Sequence, residues 1–349
     1  MGTAIARSES SGLNEAPILS RLFGVDERSL TVFRIGLATL ILYDSLSRFL
    51  SLPGTAGTAP ATPALVRALL IPLAVMLALG FRTRLTTIAC WLIYAQGVRA
   101  GLLDAGGSVP YERFAITLAL FWGMFLPLGN SFSSPFQERK NPPMFLSVAS
   151  AGFILQVLLI YLSAGITKYP SEWLFERTAL LDVLVHPGHG TEFGQALTQF
   201  PGLLEFLSVA TVAIELFGPI VFLIPGRGIE KRREILVGVF VLFHIGLAAT
   251  LTLGIFPLVM IAMWTAMLPS SLWARFGRSS SSDPAVVEID RHFVTNALAL
   301  SALILVIASN VVTWLWYPAT GGAPGLIQTV ARQLALYQQW TMFSVPSTL

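Results

Sequence analysis

About nine apolar runs, most of them near the length of a membrane-crossing helix, constrain this chain more than any other feature of its sequence. They lie at about 30–50, 63–80, 83–101, 113–129, 144–166, 203–224, 234–253, 254–270 and 294–316. A bilayer's hydrocarbon core is ~30 Å thick, and a helix needs ~20 residues to cross it. The runs lack the period-2 alternation of a barrel strand, and each is too long for one. In lipid a helix satisfies its own backbone hydrogen bonds. The expectation is therefore an all-α, polytopic helical bundle. The seventh and eighth runs are one apolar stretch, cut at Leu253-Gly254-Ile255-Phe256-Pro257, where Gly and Pro interrupt the helical pattern. Composition agrees. Charged residues are 12% of the 349 and hydrophobic residues 54%, with a mean hydropathy of +0.71. A soluble domain carries roughly 25% charged residues, so this chain lacks the polar surface to cover two soluble domains.

Lysine and arginine in the loops set the orientation. Arg82 and Arg84, then Arg139 and Lys140, then Arg227, Lys231, Arg232 and Arg233, then Arg275, Arg278 and Arg291 occupy alternate loops. With Arg7, Arg21 and Arg28 they form the expected cytoplasmic set. The N-terminus is then inside and the C-terminus outside. Residues 1–16 are polar and expected to be disordered, and 17–29 suit a short interfacial helix. No secretory signal peptide is expected, because the first apolar run starts late and is long. Residues 17–349 read as a single transmembrane domain, with 167–202 as an exterior lid or interfacial segment and 317–349 as a short exterior tail. The net charge of +3 fits positive-inside loops and does not argue for nucleic acid. The lone Cys90 excludes an intrachain disulfide.

An ionisable residue inside a span is costly and marks a candidate site. Arg34 and Asp44 fall in the first run, Glu215 in the sixth and His244 in the seventh, with Lys168 at the outer end of the fifth. Each also has an ordinary structural reading. Asp44 can pair with Arg48 one turn on, Arg34 can snorkel to the inner surface, His244 can bond a neighbouring helix, and Lys168 can anchor the interface. Glu215 can be a protonated or paired residue of the bundle. His186 and His189, three apart without further nearby ligands, are a weak metal signal, and no metal is expected.

The string Gln156, Tyr161, Ala164, Gly165, Lys168, Trp173 within QVLLIYLSAGITKYPSEW resembles the vitamin K-dependent γ-carboxylases and their bacterial relatives, the HTTM-domain membrane proteins. FRIGLATLILYD at 33–44 is similar to the family's first span, matching at Phe33, Arg34 and Asp44. LGFRTR at 79–84, FHIGLAATLTLGIFP at 243–257 and WTMFSVP at 340–346 also resemble family segments, and Glu215 matches an acidic residue. The resemblance implies that Lys168 is a base acting on vitamin K hydroquinone or menaquinol, with Glu215 and His244 as catalytic partners. It implies Arg34, Asp44, Gln156, Tyr161, Trp173 and Glu112 as substrate-binding or supporting residues. It also implies a bacterial cytoplasmic membrane. In the carboxylases the oxygenated quinol yields a base strong enough to remove a glutamate proton, and CO₂ adds to the carbanion.

The chain departs from the carboxylases in ways that bear on that last step. Where they have a second catalytic histidine, this chain has Pro110, Tyr111, Glu112 and Arg113. Where they have amide side chains, it has Leu247 and Ala249. Three classes of function stay open: a quinol-dependent oxygenase or carboxylase-like lyase; a non-catalytic helper in maturing or secreting a peptide, with that peptide as partner; and a proton- or ion-coupled transporter, against which stands the lack of a repeated half.

Overall fold

The computed structural model describes residues 18–50, 61–99, 111–129, 144–168, 170–226, 228–276, 287–320, 325–337 and 340. The expectations for 1–16, for Arg139, Lys140, Arg227 and Arg278, for 321–324, 338–339 and 341–349 of the tail, and with them all of the 340–346 motif but Trp340, lie outside them. The long helices are α1 (Glu27–Leu50), α2 (Ala61–Leu79), α3 (Thr83–Arg99), α4 (Tyr111–Gly123) and α5 (Val148–Ile166). A π turn (Ser171–Phe175) and the short α6 (Ala179–Val185) and α7 (Glu192–Ala196) follow, then α8 (Pro201–Leu223) and α9 (Ile229–Thr250). The chain continues through α10 (Phe256–Thr265), α11 (Ser270–Phe276), α12 (Phe293–Thr320) and α13 (Leu326–Gln333).

Among the described residues, five helices are long and apolar enough to cross a membrane: α1, α5, α8, α9 and the Phe293–Leu315 part of α12. Together with the apolar surface they expose, this is a helical membrane protein. Each of the nine expected runs coincides with a helix, but not all reach full length. The cut at Leu253–Pro257 falls between α9 and α10, where Gly254 has φ +57° and Pro257 sits in the first turn of α10. At 10 residues, α10 spans only about 15 Å, half of the hydrocarbon thickness. It is a core element: Val259, Met260, Met263 and Trp264 are fully buried.

The purely helical expectation misses one feature. Two-residue β1 (Val25–Asp26), β2 (Met144–Leu146) and β3 (Val287–Ile289) form a sheet in the order β1-β2-β3. The expected interfacial helix is thus limited to residues 18–23 before β1 begins. The sheet was hidden because two- and three-residue strands carry no periodic signal. It fixes one end of the bundle, since α1, α5 and α12 each begin within a few residues of a strand. Ser147, directly after β2, caps α5 by accepting from the Ser150 backbone N–H, and the Ser150 hydroxyl accepts from the Ser147 N–H in return. Arg233 of α9 ties the same end by donating to the carbonyls of Met267 at 2.6 Å and Gly24 at 2.8 Å.

At the other end the segment between α5 and α8 folds back on the helices. Trp173 packs with Ala179 and Val212. Val183 and Leu184 pack with Leu204 and Leu251. Gly190 forms an antiparallel bridge with Leu251, and the Thr191 hydroxyl donates to the Ala249 carbonyl at 2.6 Å.

Candidate functional site

The site starts from a close helix crossing. A Cβ at Gly165 would lie 2.7 Å from Leu216 and 3.2 Å from the Glu215 Cβ. Only the missing side chain lets α5 lie this near α8, as small residues do between membrane helices. Three residues later Lys168 leaves the end of α5, and its stem turns inward rather than out to the surface. Its Nζ donates to Glu215 Oε2 at 2.6 Å, with side chains 4% and 8% exposed. The ammonium also lies 4.7 Å from the centre of the Trp173 ring, a cation–π distance. Two ions buried this deeply must satisfy each other, since either one alone would be strongly destabilising.

Beside the pair stands a second, neutral chain of hydrogen bonds. Trp264 of α10 donates its indole N–H to the Tyr161 hydroxyl at 2.6 Å. That hydroxyl lies 2.6 Å from His244 Nε2. Phe240 stacks on Trp264 with ring centres 4.2 Å apart. A Cβ at Gly218 would lie 2.6 Å from the Phe240 ring, so α8 approaches α9 through a second bare position.

A cavity of about 60 Å³ joins the two groups. Lys168, Glu215, Tyr161, His244 and Thr211 supply its polar lining, and Trp173, Phe243, Phe256, Leu247, Leu251 and Trp340 are among its other walls. It has room for a few waters, while pockets for organic ligands start at ~300 Å³. A ring-sized ligand therefore enters only if a wall moves. The wall carrying Trp173 belongs to the segment between α5 and α8 and to none of the long helices.

The remaining expected site residues lie elsewhere. Asp44 accepts from Arg48 Nε at 2.6 Å, the pairing one turn apart. Arg48 also reaches Glu112 at 3.4 Å, and the Tyr94 hydroxyl is 3.5 Å from Asp44 Oδ2. Asp44 and Glu112 thus share Arg48, and Lys168 takes Glu215 as its partner. The two clusters meet across one layer of rings: Tyr111, next to Glu112, stacks on Trp340 at 5.9 Å and lies 6.2 Å from Phe256. Arg34 donates to the Leu128 carbonyl at 2.8 Å and holds the end of α4, away from the cavity. Gln156 accepts from Trp122 Nε1 at 3.4 Å within the core. His186 and His189 stack at 4.3 Å and 19°, an arrangement whose in-plane nitrogens do not converge on one ion.

Sequence reasoning missed Trp264. A buried indole N–H needs an acceptor, so a tryptophan in a wholly apolar run was the available signal. It also missed Tyr94, for which a polar tip in an apolar run was the same signal.

No curated protein and no solved structure matches the chain. Residues 114–273 match the family model of the HTTM domain. That stretch contains Tyr161, Lys168, Trp173, Glu215, His244 and Trp264, so both hydrogen-bonded groups lie inside the part of the chain that is similar to the HTTM domain.

Proposed function

We propose that this is a membrane enzyme of the γ-carboxylase-related type, in which Lys168 and Glu215 together take the hydroxyl proton of a lipophilic quinol such as menaquinol or vitamin K hydroquinone. The observation that carries this reading is the buried Lys168–Glu215 pair at 2.6 Å beside an aromatic-walled cavity. An ammonium cannot accept a proton. A lysine bonded to a carboxylate can pass its own proton to that carboxylate and become a neutral amine, the form that acts as a base. In a dry site the cost of burying both charges brings the neutral amine and carboxylic acid within reach of the ion pair, so the transfer can occur when the ligand is present. The aromatic faces suit a flat ring, and the bilayer delivers a lipophilic one. Entry requires the segment from the π turn through α7 to lift, so we assign it the role of a lid.

The quinol would react with oxygen to give the epoxide and water. Glutamate carboxylation is not part of the proposal. Glu112 and Arg113 stand where the carboxylases have their second histidine, and Leu247 lines the cavity where they have an amide. The test is to incubate the purified protein with menaquinol and oxygen and to quantify epoxide by mass spectrometry. Epoxide from wild type and none from Lys168→Ala is expected. No epoxide above background from wild type would end the quinol reading and return the helper and transporter readings.

The full topology belongs to the same proposal: nine crossings of a bacterial cytoplasmic membrane, with the N-terminus inside and the lid outside. Pairing of β1, β2 and β3 supports it, because these three segments fall on the same side in that count. A cysteine in place of exposed Phe175 should react with an impermeant maleimide on intact cells. One in place of exposed Arg275 should react only after permeabilisation. The reverse labelling would overturn the orientation.

A further inference from the structure

We infer that His244 is a fixed hydrogen-bond donor, presenting Nδ1–H to an oxygen atom of the ligand beside Lys168, and that it does not act as an acid or base. An indole N–H only donates, so Trp264 fixes the Tyr161 oxygen as an acceptor. Tyr161 is buried, and among the described residues its remaining contact is His244 Nε2 at 2.6 Å. If Nε2 carried the proton, two donors would face the Tyr161 oxygen, and the phenolic O–H would have no acceptor. A buried hydroxyl left this way costs about 1–3 kcal/mol. The proton arrangement that satisfies every group is Trp264 to Tyr161 to His244 Nε2, which leaves the imidazole proton on Nδ1.

That Nδ1 has no hydrogen-bond partner among the described residues, though the residue is only 1% exposed. No carboxylate bonds to the ring among the described residues, so a charged imidazolium would be buried unpaired, which is strongly disfavoured. The ring is neutral and in one tautomer, and it lines the same small cavity as Lys168 and Glu215. An orphaned buried donor on a cavity wall is a binding group. In the resting protein it bonds to water. With ligand it takes a carbonyl, phenol or phenolate oxygen, whose second polar end or ring hydroxyl faces the lysine. His244 is then a positioning residue, and Tyr161 and Trp264 set its tautomer. The inference concerns the cavity of the proposed quinol reaction, but its first test does not depend on that reaction.

The chain has four histidines. Replacing three of them (His186→Gln, His189→Gln and His292→Gln) leaves His244 as the sole imidazole. Nitrogen-15 NMR of this protein in nanodiscs reads its tautomer directly. A protonated Nδ1 and bare Nε2 are expected, with the other tautomer appearing in Tyr161→Phe. A proton on Nε2 in the otherwise intact protein would overturn the inference. Menadione, which carries carbonyl acceptors and no proton to give, then probes contact. It should shift the Nδ1 resonance. An asparagine amide reproduces the Nδ1 donor and a glutamine amide the Nε2 position. Menadione affinity should therefore fall about tenfold in His244→Gln and stay within about threefold in His244→Asn. Binding that leaves Nδ1 unmoved, or equal losses in both variants, would refute the contact. Absence of menadione binding alongside the expected tautomer would remove the quinol reading and keep the donor assignment.

Discussion

Two charged clusters near the same end of this molecule solve the burial problem differently. Around Asp44 the charge is shared: Arg48 bridges Asp44 and Glu112 and is itself 36% exposed, open to solvent or headgroups. Around Lys168 the charge is confined: one cation meets one carboxylate, with side chains only 4% and 8% exposed. The first is a helix staple whose loss is softened by solvent. The second keeps its charges away from water and lies beside a cavity lined by His244, whose Nδ1 has no hydrogen-bond partner among the described residues. Similar residue types at similar depth thus form a brace in one place and, in the proposed function, a proton-accepting pair in the other. The carboxylates are equally buried in both, and what separates the clusters is the exposure of Arg48 and the presence of space.

The largest effect should come from breaking the confined pair on one side. Glu215→Ala leaves the Lys168 ammonium buried alone and should destabilise the protein by about 3–5 kcal/mol, read as a fall in unfolding temperature in detergent. The double change Lys168→Met with Glu215→Leu removes both charges and should recover most of that loss while abolishing activity. If Glu215→Ala is thermally silent, the pair is not confined and the contrast fails. Next comes the helix crossing that builds the pair. Gly165→Val sets a branched side chain against Leu216 and Glu215 and should cost about 1–3 kcal/mol by overpacking, with loss of any ligand binding in the cavity.

Smaller again is the neutral relay. Trp264→Phe leaves the Tyr161 oxygen without its donor and should cost about 1–3 kcal/mol. Adding Tyr161→Phe should cost less than Tyr161→Phe alone, since the hydrogen bond that the two residues share is already lost. Strict additivity of the two would show that they do not interact. The smallest effect is expected at the brace: Arg48→Ala should change stability by about 1 kcal/mol or less. A loss as large as that of Glu215→Ala would erase the distinction between the regions.

How much of this the sequence disclosed follows from what periodicity encodes. The nine runs mark nine helices because a membrane helix is written in its own residues, and the break before Pro257 was readable from Gly254 and Pro257. The Asp44–Arg48 staple was readable too, being a contact between residues four apart. The partner of Lys168 was not, because nothing local links residue 168 to residue 215. In the sequence Lys168 stands at the outer end of the fifth run and Glu215 within the sixth. The bare Gly165 brings α8 close, and the long lysine stem reaches inward to close the gap. Arg34, given by resemblance as a substrate-binding or supporting residue, bonds the Leu128 carbonyl, a backbone contact with no sequence signature. The sheet escaped for the same reason, since its pairing joins segments more than a hundred residues apart.

The most direct test of Lys168 and Glu215 as a single proton-accepting unit is epoxide formation from menaquinol and oxygen by wild type, Lys168→Ala, Glu215→Gln and the double variant. Each protein's folding is checked first by its unfolding temperature. The account predicts product from wild type and an equal, near-complete loss in the three variants, because removing either member disables the unit. Product from folded Lys168→Ala, or losses in the single variants that multiply in the double, would contradict it.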